Sequence, residues 1–168
     1  MDSPAKDTPA LPHFQPAAIT TTADLHTVQS LSPDRRALSI LFTRLELRVS
    51  DKDAEPGAAR AVQVAVPIEN ARSDPQAAVT VTVRGQLDAT EDSGSACTVI
   101  VGDQVKSSAG SQGSFEIEMS FQPGTTTMSW NRAIVLACTR GIGLPGEAMA
   151  TVESIDLAFQ PEQKSASP

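Results

Sequence analysis

The residues able to do chemistry in this chain are few: two cysteines, two histidines, one tryptophan and a scatter of carboxylates. Cys97 and Cys138 each sit inside an apolar alternating segment, on the parity of Val99 and Val101 and of Ile134 and Leu136 respectively. Both therefore point toward a core. One reading is a disulfide between two strands, which stabilises by roughly 4 kcal/mol on a loop-closure argument. Another is a pair of reduced thiols acting as small buried hydrophobes. A redox or metal role is the third.

His13 and His26 both fall in a Pro-rich N-terminal stretch. Nucleophilic catalysis needs an imidazole held rigidly beside its Ser or Cys, and an arm is a poor place for one. Glu116 and Glu118 share one strand face, about 6.5–7 Å apart by strand rise. Carboxylates at such separations hydrolyse glycosides when they face each other across a cleft. Residues i and i+2 of one strand point the same way, so a solvated face is the expectation. The chain is read as a non-enzyme.

Asp88, Glu91 and Asp92 crowd one loop, and Asp51, Asp53 and Glu55 another. Such oxygen-rich loops suit Ca²⁺. The second starts like an EF-hand loop, but Pro56 stands where the Gly belongs and Val62 where the bidentate Glu belongs. An irregular Ca²⁺ site in either loop, with Asp88, Glu91 and Asp92 singled out as ligands, is the one cofactor reading, set against ordinary acidic turns. No phosphate-binding glycine loop is present, and the glycines of residues 140–146 read as a turn between strands. Trp130 either caps the core or stands in a ligand-binding patch, for which Arg132 and Arg84 are the other candidates. Each arginine occupies a polar strand position, where a surface ion pair is the alternative. With five Phe, one Trp and no Tyr, a flat platform of rings for stacking on sugars is not on offer. A sugar site would have to be made of polar loops and a metal.

The elements that must carry these residues follow a period of two. Leu45, Leu47 and Val49 alternate with Arg44, Glu46 and Arg48; Val62, Val64 and Val66 with Ala61, Gln63 and Ala65; Val79, Val81 and Val83 with Thr80, Thr82 and Arg84. Phe115, Ile117, Met119 and Phe121 alternate with polar neighbours, and Cys97, Val99 and Val101 make a shorter strand. One apolar and one polar face marks a half-buried antiparallel strand. Residues 132–139 (RAIVLACT) are apolar on both parities, which predicts a central strand covered on both faces. From 149 to 159 the phase changes, predicting a bulge near Glu153–Ser154. Ser32-Pro33-Asp34 predicts a helical turn over 33–36 that feeds a strand from about residue 38. Gly, Pro, Asp and Ser fill the connectors. The fold class is therefore all-β: an antiparallel β-sandwich of about seven or eight strands, jelly-roll or immunoglobulin-like.

Five of the twelve Pro lie in the first 33 residues. The expected organisation is a Pro-rich, flexible arm over 1–31, a sandwich over 32–159 and a disordered tail over 160–168. The 168 residues carry a net charge of −7. Residues 1–36 hold three basic and four acidic side chains and 37–159 nine and fifteen, so the acidity belongs to the sandwich. This argues against nucleic-acid binding, which needs a basic face. No apolar run approaches the ~18 residues of a membrane span. The N-terminus lacks a basic and then an apolar leader region. A cytoplasmic location follows if Met1 is the native start, and a secreted or periplasmic one if Met1 replaces a removed signal peptide.

Strand-rich architecture without catalytic groups leads to a non-catalytic protein-interaction or assembly module, acting on a protein partner or by self-association. The alternative is a jelly-roll module for carbohydrate or another ligand, calcium-assisted.

Overall fold

The computed structural model describes residues 10–21, 25–110, 112–124 and 128–161. Among these residues there are twelve strands: β1 (His13–Phe14), β2 (Ala18–Thr21), β3 (Thr27–Leu31), β4 (Ala37–Phe42), β5 (Glu46–Ser50), β6 (Gly57–Glu69), β7 (Val79–Ala89), β8 (Ala96–Val101), β9 (Gln104–Ala109), β10 (Gln112–Phe121), β11 (Ser129–Thr139) and β12 (Glu147–Phe159). The sole helical element among the described residues is a 3₁₀ turn, Ala71–Ser73, and no helix is long and apolar enough to cross a membrane.

The strands form two antiparallel six-stranded sheets. The first runs β1-β6-β11-β8-β9 with β2 also on β6; the second runs β10-β7-β12-β4-β3 with β5 also on β12. From β4 onward the chain pairs as one nested hairpin. β8 pairs with β9, β7 with β10, β6 with β11, and β4 and β5 with β12. Successive ribbons fall in alternate sheets, which is the winding of a jelly roll. β4 and β5 are two halves of one interrupted strand, so the roll has eight strand positions and β1–β3 are additions to its edges.

Alternation places the core. Val62, Val64 and Val66 of β6, Val79, Val81 and Val83 of β7, and Ile134, Leu136 and Cys138 of β11 are all 0–1% exposed. The bulge in β12 falls between Val152 and Ser154, where the register with β7 shifts. Gly85 of β7 pairs with Val152 at that point, and a Cβ there would overlap the Thr151 carbonyl and the Phe115 ring. The sequence phase change and the glycine on the facing strand are thus one feature.

Four expectations are corrected. Residues 13–21 and 25–31 are not an arm outside the core. Phe14 is wholly buried, its ring centroid 4.7 Å from that of Phe159, and β2 and β3 extend the two sheets. The amino-terminal nine residues and 162–168 lie outside the described residues. Residues 33–36 form the hairpin turn between β3 and β4 rather than a helical turn. Asp34 organises it, accepting from Ser32 Oγ at 2.6 Å and the Arg36 amide at 3.0 Å. The Ser32 bond, chiefly, holds its carboxyl below the usual range. Residues 107–109, the start of a stretch read as connector over 107–114, belong to the edge strand β9. Finally, β11 is central but covered once: Ala133 is exposed, and Val135 and Ala137 are half-buried on the outside of the first sheet.

Candidate binding face

The residues singled out by type do not converge. Trp130 is 2% exposed and part of the core. Arg132, two positions on, lies where β11 runs past the end of β8 and donates to the Asn131 carbonyl at 2.8 Å. Arg84 is on the other sheet. Its Nε donates to Glu116 at 2.8 Å and its Nη1 to Asp156 at 2.7 Å, bridging β10, β7 and β12. Asp88 is half-buried on β7, while Glu91 and Asp92 are exposed in the following turn. Among the described residues no cluster of three His, Cys, Asp or Glu could hold a metal, so these three carboxylates are not gathered into a calcium cage. Glu116 and Glu118 lie on the solvated face of β10, as alternation requires.

Cys97 and Cys138 do come together. They are directly opposed across β8 and β11, both 1% exposed, and both are free thiols. Each Sγ contacts a carbonyl: Asp88 at 3.5 Å for Cys97 and Leu47 at 3.4 Å for Cys138. Burial pushes both thiols up, that of Cys138 to about 11. The disulfide reading is not supported: both thiols are free and buried, and burial favours their protonated, less nucleophilic form.

What residue types missed is a surface. The pairing of β2, β6, β11, β8 and β9 sets five rows across the outer face of the first sheet: Ala18, Ala65 and Asn131; Thr20, Gln63 and Ala133; Ala61, Val135, Ile100 and Val105; Ala59, Ala137, Thr98 and Ser107; and Gly57, Thr139 and Ala96. None of these side chains is charged. Arg60, Lys106 and Arg132 of the same strands lie on the opposite parity, and Glu69 sits beyond the rows, 3.0 Å from His13 Nε2. Gln63 donates to Asn131 Oδ1, and the Thr98 and Ser107 hydroxyls are 3.0 Å apart. Alanine dominates, so the relief is low. Strands about 4.8 Å apart and rows nearly 7 Å apart give an area of roughly 500 Å². The apolar part of that footprint is smaller, because Thr20, Gln63, Thr98, Ser107, Asn131 and Thr139 contribute polar groups, but it is continuous across Ala61, Val135, Ile100 and Val105. The signal for it was in the sequence: 132–139 asks for cover on both faces, and the fold supplies one.

No family model matches this sequence, and no curated protein does. Among solved structures the chain is similar to TmCBM61 in complex with β-1,4-galactotriose, at 8% identity and a TM-score of 0.30, covering 88% of this chain and 91% of that one. It is also similar to the enzymatically active domain of bacteriophage CBA120 tailspike protein 4, at 7% identity and a TM-score of 0.26, covering 88% of this chain and 19% of that one. At these scores the likeness carries no argument about ligand or activity. The class that this chain's own strand pairing defines is a β-sandwich with jelly-roll winding.

Proposed function

We propose that this chain is a non-catalytic binding module whose ligand docks on the uncharged outer face of the first sheet. One observation carries the reading: a central strand that is apolar on both parities, 132–139, has its outer residues Ala133, Val135 and Ala137 facing no second layer of the described chain. Burying alanine, valine and isoleucine there gains about 25 cal/mol per Å², with no charge to desolvate. The face therefore selects an uncharged surface as its ligand.

A neutral carbohydrate on the same face is the second reading. It is favoured by the hydroxyl and amide groups of Thr20, Gln63 and Asn131 in two neighbouring rows and of Thr98 and Ser107 in another. It lacks a stacking ring. Trp130 and four of the five Phe are buried, and Phe121 is half-buried.

Surface-plasmon measurements with the immobilised chain and its Ala61→Glu and Gln63→Ala variants, against a neutral-glycan array and candidate protein ligands, test both. Protein binding lost in Ala61→Glu supports the first reading. Glycan binding lost in Gln63→Ala transfers the face to sugar. A ligand bound equally by wild type and both variants removes the face from the function.

A further inference from the structure

The occupant of the uncharged face is decided by charge and area. We infer that it is a second copy of this chain, stacked face to face through the first sheet; this rests on the reading of that face as the binding surface. The chain carries a net charge of −7, so two copies repel wherever their charged surfaces approach. The outer face of the second sheet displays Glu46, Asp88, Glu116, Glu118, Glu147 and Asp156 against Arg48 and Arg84, and self-contact there opposes like charges. The rows of the first sheet carry no charge, so stacking through them desolvates none and turns the acidic faces outward, as far apart as the pair permits.

Shape agrees. Sheets pack face to face at about 10 Å; the face is mostly Ala, Val, Ile, Thr and Ser, and its two longer polar side chains, Gln63 and Asn131, are hydrogen-bonded to each other. A two-fold axis through the Val135 row sets the same patch on both copies, the self-complementary arrangement of a C2 dimer. Roughly 500 Å² from each copy gives about 1,000 Å² in all, the lower bound of a specific interface. Interfaces of this small size are typical of weak, transient pairing, and area alone does not set affinity; the dimer is expected to be reversible, with roughly 10–100 μM as the range to search.

Salt gives the pairing a signature. Repulsion between two acidic copies is screened as salt rises, while apolar contact is not weakened. The dimer tightens several-fold between roughly 0.02 and 0.3 M salt. A dimer held by ion pairs would loosen.

Sedimentation equilibrium of the full chain over a wide concentration range, at both salts, is the test. Expected are a monomer–dimer equilibrium that tightens with salt, at least a tenfold weakening in Ala61→Glu and Ala133→Glu, and little change in Ser114→Glu, which adds the same charge to the second sheet. Should the alanine variants fail to fold, methyl NMR of the wild type decides: Ile100, Val105 and Val135 shift with concentration while Val28 and Leu41 do not. A chain monomeric up to about ten times that range overturns the inference, as does a dimer indifferent to the alanine variants. Methyls of Ile100 and Val135 shielded from a soluble paramagnetic probe in the monomer would put a segment of the same chain on the face and also overturn it. A monomer that still binds another protein through Ala61 defeats the self-pairing alone; a dimer that ignores Ala61 defeats the face itself.

Discussion

The two sheets share a core and differ on the outside. On the second sheet, alternation works as it does on any solvated antiparallel face. Arg84 links Glu116 and Asp156, Arg48 Nη2 lies 2.5 Å from Glu147, and Gln86 donates to Glu153 at 2.9 Å. Such pairs cost little to solvate and contribute little stability. The first sheet meets the same water with alanine, valine, isoleucine and threonine. Water favours charge on an exposed face without requiring it, and an uncharged face of this extent is the ground on which the binding proposal stands. The contrast within one sandwich, rather than any motif, is what the proposed binding surface rests on.

The largest effect expected from this contrast separates neighbours on β11. Ile134 points into the core and Val135 out of it. Ile134→Ala leaves a cavity and is expected to cost about 2–5 kcal/mol, whereas Val135→Thr, which swaps a methyl for a hydroxyl on the open face, is expected to cost under ~1 kcal/mol in dilute protein. Chemical denaturation of both variants measures this. Equal losses would mean that the outer face of β11 is already covered in the monomer, and the comparison would collapse.

Much of the fold was legible because period two is a physical signal. The five apolar–polar alternations and the bulge at 153–154 each read directly. The edges did not. β9 is Gln-Val-Lys-Ser-Ser-Ala, paired only to β8, and an edge strand with one bond partner needs no strong pattern. β1–β3 hide in Pro-rich sequence because Pro16 and Pro33 sit between strands, where a missing amide costs nothing. Phe14 was the clue, an isolated ring that only tertiary contact with Phe159 places. The candidate site was least legible: Arg84, Asp88 and Trp130 were chosen by chemical type, while the face consists of residues with no chemistry to notice. Its one trace, the double apolar parity of 132–139, reads equally well as a strand covered twice.

A smaller effect probes the space between the two faces. Cys138 contacts the Leu47 carbonyl of β5 in the second sheet from β11 of the first, so its thiol reports whether the sheets stay closed. Its pKa is raised by burial from 9.0 to about 11. The folded state therefore binds that proton more tightly than the unfolded chain, and the resulting stability is present in full below pH 9 and lost as pH climbs toward 11. Denaturant midpoints over that interval should fall, more gently in Cys138→Ala than in the wild type after allowing for its lower starting stability. Thiol titration should find two thiols in denaturant and slow reaction in the folded protein at pH 8. Fast reaction in the folded state would mean that the sheets part readily.

The smallest expected effect tests the charged face itself. Arg84→Met keeps the stem that packs along β7 but removes the guanidinium between Glu116 and Asp156, leaving two carboxylates without their shared cation. Arg84 is about half exposed, at 48%, so the loss should stay under ~1 kcal/mol and shrink as salt screens the remaining repulsion. Gln63→Ala, at a comparable central position on the first sheet, removes a neutral contact to Asn131 and should show no salt dependence. The comparison of interest is thus the slope of stability against salt rather than its size. A steep slope for Gln63→Ala would mean that charge reaches the first face after all, and the reason for calling it a docking surface would be gone.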